Sequence, residues 1–395
     1  MRSFDFPEPD TSPALEGAVG GRVTRSDLIS THEPTGYSVD FGRNLCFVLG
    51  LPFDIIDLDG AEAKVRAAVA SRTRLFISTP NTNFVVAALR DSAFRDSVLH
   101  SHLSLMDGMP LVWAARLMGI PIPERVSGSD LFERLNRPGS TPMKVYFFGG
   151  PPGVAAKACA TLNAGDGAMT CVGSDEAGFG SIEDMSSAET IDRINASGAD
   201  FLVVALGAAK GQAWIEYNLR RLTVPVVSHL GAVVNFVAGK VQRAPAWVQH
   251  VGLEWIWRVK EEPHLWRRYA ADALTFTKLL VTEILPYPSH GGAAVCSLAG
   301  GHAEAVRHSG GLTLRISGVQ AGRGLDSLRV LCAGFASYDG CVDLDLGGVT
   351  VVSTELVALL SVLGAHRARV NLLFRVAVPA PLGLITGLPS GSEVI

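Results

Sequence analysis

The chain is poor in charge and in cysteine, and it lacks the short motifs that would settle its chemistry at a glance. Charged residues make up 18% of 395 positions and the net charge is -4, so no basic excess is present to meet a nucleic acid. The six cysteines, Cys46, Cys159, Cys171, Cys296, Cys332 and Cys341, form no CxxC pair and keep no regular spacing. That argues against a zinc site and against a secreted disulfide framework, and it fits a reducing cytoplasm. No GxxxxGK[ST] loop, dinucleotide glycine fingerprint, GxSxG elbow or HExxH helix occurs, which leaves P-loop, NAD-dependent, serine hydrolase and zinc protease chemistry unsupported. No apolar run reaches the ~18 to 20 residues of a membrane-spanning helix. Ala273 to Leu285 is interrupted by Lys278 and Glu283, and Val351 to Leu363 by Glu355. Asp5, Glu8 and Asp10 precede any apolar run, unlike a signal peptide. Membrane contact is therefore expected to be peripheral, on a cytoplasmic protein.

What is present is a folded α/β composition, with 48% hydrophobic residues, 42 glycines and 21 prolines. Residues 1–40 are rich in Pro, Gly, Ser and Thr without apolar period and read as a flexible leader. From there short apolar runs alternate with helical patterns: Cys46 to Leu51, Leu75 to Ser78, Leu103 to Met106, Lys144 to Phe148, Phe201 to Leu206 and Val224 to His229. Continuous apolar strands separated by helices predict a parallel sheet covered on both faces, over residues 41–285. Residues 286–311, dominated by Pro, Ser, His, Gly and Ala, read as a linker. Residues 312–395 predict a second, small α/β unit.

On parallel sheets ligands sit beyond the carboxyl ends of the strands, and five polar strand ends stand out. Thr79-Pro80-Asn81 can hold a phosphate or a sugar hydroxyl, although Asn81 reads equally as a helix N-cap. Met106-Asp107-Gly108 places a carboxylate where it can be half-desolvated and serve as a general base, or where it merely caps a turn. Phe148-Gly149-Gly150 closes a strand before a helix whose amides can face a diphosphate. Leu206-Gly207-Ala208, followed by Lys210 and Gln212, and His229-Leu230-Gly231, followed by Asn235, repeat the pattern. A sixth stretch, Lys240 to Tyr269, holds Trp247, Trp255, Trp257 and Trp266 among Lys240, Arg243, Arg258, Lys260, Arg267 and Arg268. Trp beside Arg and Lys suits a membrane interface, and the arginines suit a leaving diphosphate; a core helix with a solvated charged face is the structural alternative. Asp57-Leu58-Asp59 mimics a metal-binding DxD but precedes a helix, so capping explains it. His100 and His102 have HxH spacing, yet no carboxylate or cysteine cluster supports a metal, and none is expected.

Taken together, these stretches resemble the WecG/TagA/CpsF glycosyltransferase family. Glu124-Arg125-Val126-Ser127-Gly128-Ser129-Asp130-Leu131, Gly239 to Trp247, Gly252-Leu253-Glu254-Trp255, Glu262-Pro263 and Arg267-Arg268-Tyr269 carry the resemblance further. It implies a Rossmann-like fold and inverting, metal-independent sugar transfer without a cofactor. The donor would be a UDP-sugar of the N-acetylmannosamine, N-acetylmannosaminuronic acid or glucose type. The acceptor would be a polyprenyl-diphosphate-linked glycan at the inner face of the plasma membrane, in exopolysaccharide or cell-surface glycan synthesis. By motif, Asp107 would be the base, and Thr79, Asn81, Arg125, Gly149, Gly150, Gly207, Lys210, Gln212 and Asn235 would bind substrate. Arg243, Arg258, Arg267 and Arg268 would meet the diphosphate or the membrane.

Three departures mark this chain. Where the family has Lys-Gln-Glu after the glycine turn, Lys210-Gly211-Gln212 stands, with Trp214 holding the register. Asn235 replaces an aspartate, and His264 replaces a basic residue after Glu-Pro. Gly211 and Asn235 motivate a rival reading, a non-catalytic sugar-nucleotide sensor. The C-terminal unit resembles a STAS domain through Leu344-Asp345-Leu346-Gly347-Gly348-Val349 and Val352-Ser353-Thr354-Glu355-Leu356. That would make Ser353 a candidate phosphosite, or a plain N-cap, and the unit a docking surface for a protein partner.

Overall fold

A computed structural model describes residues 39–286 and 302–377 apart from 179, 246–247, 249–253, 262, 309–310, 320–323, 337, 339, 352 and 370–373, and also describes 393–394. The leader up to residue 38, Trp247 and most of the predicted linker lie outside the described residues. In chain order the first half runs β1 (Leu45–Val48), β2 (Leu51–Asp54), α1 (Leu58–Ser71), β3 (Leu75–Ser78), α2 (Thr82–Ala88), α3 (Ser92–Leu99), β4 (Leu103–Ser104), α4 (Met109–Leu117), α5 (Gly128–Leu135), β5 (Met143–Gly149) and α6 (Val154–Ala164). It continues with β6 (Met169–Asp175), α7 (Ala188–Ala196), β7 (Phe201–Ala205), α8 (Ala208–Asn218), β8 (Val226–His229), α9 (Gly231–Val237), α10 (Glu254–Glu261) and α11 (Trp266–Leu279). After these come β9 (His302–His308), β10 (Gly311–Val319), α12 (Gly324–Ala336), β11 (Cys341–Val351), α13 (Thr354–Arg369), β12 (Phe374–Ala377) and β13 (Glu393–Val394).

Six parallel strands form the main sheet in the order β4-β3-β8-β7-β5-β6, the Rossmann-like arrangement that the alternating pattern predicts. Successive residues of the central strands point to opposite faces, as the pleat requires. Val145, Phe147, Phe201 and Val203 join one core with residues of α1, α5, α6 and α9. Tyr146, Phe148, Leu202 and Val204 join the other, around the fully buried Trp214 of α8. The Trp214 ring stacks on Phe148 at 4.4 Å between centroids.

The sequence reading of Cys46 to Leu51 as a first parallel strand is corrected. Leu49 and Gly50 both take positive φ, 50° and 86°, the backbone of a two-residue hairpin turn, so β1 and β2 pair antiparallel with each other instead. A buried ion pair ties this hairpin to the main sheet. Arg43 Nη2 lies 2.6 Å from Asp54 Oδ2, and Ser104 N–H of β4 donates to the same oxygen at 2.8 Å. Cys159 of α6 and Cys171 of β6 are joined as a disulfide, which the sequence reading did not anticipate: two cysteines twelve residues apart give no motif, and only the packing of α6 beside β6 brings them together.

The C-terminal sheet has the order β13-β12-β11-β10-β9, with β9 antiparallel to β10 and the other pairs parallel. β9 begins inside the segment read as linker, so the second sheet starts before residue 312. The two units also share a core, because Phe41, Leu45, Phe47 and Leu99 pack with Leu312, Leu314, Leu359 and Leu363. At the same seam His100 Nε2 meets the Ala365 carbonyl at 3.0 Å, and Arg369 reaches Glu216 of α8 at 3.2 Å. Ser353 is 4% exposed, and its Oγ accepts the Leu356 N–H at 3.1 Å. It is a buried N-cap of α13, the plain-cap alternative of the sequence reading.

Candidate active site

A cleft of about 870 Å³ opens beyond the carboxyl ends of the main-sheet strands, where such sheets bind ligands. Its floor is set by backbone. Leu105 N–H bonds the Ser78 carbonyl and Asp107 N–H the Pro80 carbonyl at 3.0 Å, carrying the β3–β4 pairing past the strand ends so that Asp107 and Asn81 arrive side by side. Asn81 caps α2, its Oδ1 accepting from Asn83 N–H and Phe84 N–H. Its amide nitrogen is thereby the part left to meet a ligand. The segment rich in Trp and Arg folds over the top, with Glu254, Trp255 and Arg258 of α10 and Trp266, Arg268, Tyr269 and Asp272 of α11 lining the roof. Asp272 is 7% exposed and accepts from Asn83 Nδ2 at 3.1 Å, which pins α11 to the floor.

Arg125 organises the charge. Its guanidinium lies 2.7 Å from Asp130, 3.3 Å from Glu254 and 3.5 Å from Asp107. Burial opposes ionisation of Asp130, but Arg125, the Ser127 hydroxyl and Arg243 together hold its carboxyl below the usual range. Asp107 fares differently. Its surroundings strip away water and push its carboxyl up to about 7; Arg125 draws it down, while Glu254 and Asp130 raise it further. The guanidinium sits closest to Asp130, so Asp107 receives only part of its compensation. A quarter of the Asp107 side chain still faces the cleft. The result is a carboxylate poised near neutrality and open to a ligand, the pattern expected of a general base. Replacing Glu254 by Gln removes a charge that raises Asp107 and competes for Arg125. The acid limb of the pH–rate profile should therefore move to lower pH, by up to about one unit.

Of the residues singled out in the sequence, Asn81, Asp107, Arg125, Gly150, Gly207, Asn235, Arg258 and Arg268 line this cleft. The others are placed elsewhere, for physical reasons. Thr79 is 7% exposed and lies under Gly128, where an added Cβ would come within 3.3 Å of its methyl group. Gly149 backs onto Leu206 and the Ala205 carbonyl. Gln212 is fully buried, with Nε2 donating to Ser78 Oγ at 2.8 Å, so it ties α8 to β3 rather than touching substrate. Lys210 reaches away to the Gly180 carbonyl at 3.3 Å. Arg243 is held by Asp130 and Glu133, and Arg267 lies on the outside over the Trp266 ring. Asp57 caps α1 through the Gly60 N–H, as the capping reading of the DxD look-alike has it. His102 accepts from Phe76 N–H. Among the described residues, no group of three or more His, Cys, Asp or Glu side chains could hold a metal.

The sequence reading missed Glu254 as a charge partner, Asp272 as a roof anchor and His229 as a lining group. Glu254 lay in a quoted motif and His229 at a named strand end. Asp272 left no signal, being one polar residue on a distant helix.

Comparisons with known proteins agree with this architecture. The family model for the glycosyl transferase WecG/TagA/CpsF family matches residues 46–289. An N-acetylglucosaminyldiphosphoundecaprenol N-acetyl-beta-D-mannosaminyltransferase of Bacillus spizizenii is 27% identical over 209 residues, 53% of this chain and 79% of the relative. The enzyme of the same name from Bacillus subtilis is 29% identical over 195 residues, 49% of this chain and 73% of the relative. Among solved structures, a GTP-binding protein of Sulfolobus solfataricus in complex with GDP is 10% identical, covers 60% of this chain and 81% of its own, and has a TM-score of 0.18, too distant to bear on fold or function. With a parallel-sheet cleft, a raised carboxylate on its floor and a family match across that whole unit, the chain belongs to the WecG/TagA/CpsF family of glycosyltransferases.

Proposed function

We propose that the protein transfers a sugar of the N-acetylmannosamine type from a UDP donor to a polyprenyl-diphosphate-linked acceptor, with inversion and without a metal. The observation that carries this reading is Asp107, a carboxyl raised to about 7 and facing an open cleft beside Asn81 and Arg125. In one displacement the acceptor hydroxyl gives its proton to Asp107 as its oxygen bonds the anomeric carbon. The bond from that carbon to the diphosphate oxygen breaks, and UDP leaves with the electron pair. One base suffices for inversion, so Asn235 need not be acidic. Arg258 and Arg268 face the cleft from the roof, where cations offset charge on a departing diphosphate.

The outer surface of the roof supports a membrane-bound acceptor. Trp255, Ile256, Trp266, Leu274 and Val281 are exposed on or just after α10 and α11, beside Lys260 and Arg267. No described helix is long and apolar enough to cross a membrane, so this face would rest on the inner leaflet, its rings among headgroups. The test is a panel of UDP-sugars offered with a bacterial membrane lipid extract. Transfer of one sugar to a diphosphate-linked lipid, unaffected by EDTA, is the expected result. Binding of UDP-sugars with no transfer would overturn it in favour of the sensor reading.

A further inference from the structure

Among the described residues, large apolar side chains that stay exposed gather on a few helices around the cleft. Leu89 follows α2, Trp113 and Leu117 lie on α4, and Leu274, Val281 and Leu285 lie on or just after α11, in addition to the exposed aromatic residues of the roof. Tyr217 and Val330 alone stand elsewhere. The inner faces of α2, α4 and α11 share one core, where Phe84, Leu111, Val112 and Phe276 meet. The exposed apolar residues therefore belong to one packed group of helices, a concentration that on a water-soluble surface marks a contact site.

α4 connects this group to the chemistry. It starts at the glycine turn that follows Asp107, and Met109 and Pro110 in its first turn line the cleft. Met109, Trp113 and Leu117 are four residues apart, so they share one face of the helix, while Leu111, Ala115 and Met118 enter the core. Met109 is half-buried, whereas Trp113 and Leu117 are 48% and 52% exposed. Arg116, the cation beside this face, turns its guanidinium back to the Ile122 and Pro123 carbonyls. What remains is an uncharged stripe that begins inside the cleft, two residues from the proposed base, and runs outward for about 12 Å.

We propose that the stripe Met109, Trp113 and Leu117 is the surface along which the isoprenoid chain of the acceptor leaves the cleft for the bilayer. The inference rests on the reading that the acceptor is lipid-linked. Such an acceptor must present its hydroxyl at Asp107 while its chain stays among lipid tails, so an apolar path has to join the two places. A sugar nucleotide gains little from a face of thioether, ring and methyl carbon. A second copy of the chain would cover Trp113 and Leu117 but gives no reason for the stripe to continue into the cleft at Met109.

The test uses N-acetylglucosamine diphosphate esters that carry a methyl, a farnesyl or an undecaprenyl group, offered in neutral detergent to the full-length protein with the UDP-sugar that the panel selects. For the wild type, KM should fall at least about tenfold from the methyl to the farnesyl ester, the share of burying a few methylene groups. In Trp113→Glu/Leu117→Glu that gain should shrink to less than about threefold, and in Trp113→Gln, the milder change if the double variant does not fold, it should fall by at least about half. A KM that does not depend on chain length in the wild type overturns the assignment. So does a loss in the variants that is equal for the methyl and farnesyl esters, which is what a merely structural role of α4 predicts. Dissociation of a dimer by the double variant, seen by light scattering, would give the stripe to a second copy and overturn it as well. No transfer to any ester by the wild type would instead remove the lipid-acceptor reading, and this path with it.

Discussion

Asp107→Asn lowers turnover at least ~100-fold, the usual share of a general base, while leaving sugar-nucleotide affinity close to that of the wild type. Asparagine keeps the shape and polarity of the side chain, so the floor of the cleft, fixed by the Asp107 N–H to Pro80 carbonyl bond, does not move. The same substitution makes the protein more stable at neutral and alkaline pH. A carboxyl that ionises near 7 in the folded chain and near 3.8 when unfolded binds more protons folded than unfolded between those values. Stability from this group is thus complete below about 3.8 and drains away as pH rises through 7. Removing the ionisation recovers on the order of 1 to 3 kcal/mol, after allowing for the side chain's partial exposure. Turnover by single-turnover transfer and stability by urea unfolding at pH 5 and pH 8 check the two halves. Near-normal turnover would strip Asp107 of its role, and equal stability of the two proteins at pH 8 would show that its carboxyl is not raised.

Arg43→Ala is expected to cost about 3–5 kcal/mol of stability, the scale set by leaving a buried charge without its partner. Asp54 is 4% exposed and takes both a bidentate contact from Arg43 and the Ser104 N–H. Truncating the arginine strands that carboxylate and also orphans the Ser101 carbonyl, to which Arg43 Nη1 donates at 2.8 Å. Asp54→Asn should cost a similar amount, since an amide oxygen can still accept from Ser104 but the Arg43 guanidinium, 3% exposed, loses its counter-charge. A urea midpoint for Arg43→Ala close to that of the wild type would mean that the pair is solvated in practice. Activity per folded molecule should be unchanged in both variants, because neither residue lines the cleft.

The parts of this molecule that could be read from sequence are those where one physical demand acts alone. β5, β7 and β8 are covered on both faces, so they appear as unbroken apolar runs and were located within a residue or two. β1 and β2 were fused into one strand because the Leu49-Gly50 turn is hidden in an apolar run. β9 was overlooked because His302–His308 alternates polar and apolar residues at the edge of a sheet, a weak signal beside a Pro- and Gly-rich stretch. In the cleft, Asp107, Asn81 and Arg125 were legible because strand ends and motif agree on them. Gln212 and Arg243 were misplaced for a common reason. A polar side chain near a ligand site looks the same in sequence whether it faces the ligand or braces the scaffold, and only the Ser78 and Asp130 contacts decide. The disulfide and Asp272 depend on pairs of elements whose docking no local pattern encodes.

The apolar cluster that runs from Phe41, Leu45 and Phe47 into Leu312, Leu314 and Leu363 also determines how the molecule comes apart. Two bodies on a string would melt in two steps, each with its own midpoint. Here the amino-terminal hairpin is shielded from solvent by α13 of the carboxyl-terminal unit, so opening either one strips the other, and calorimetry should record a single endotherm. Cutting the chain before β9 would bare those phenylalanines, and the catalytic half so released would clump in solution instead of working alone.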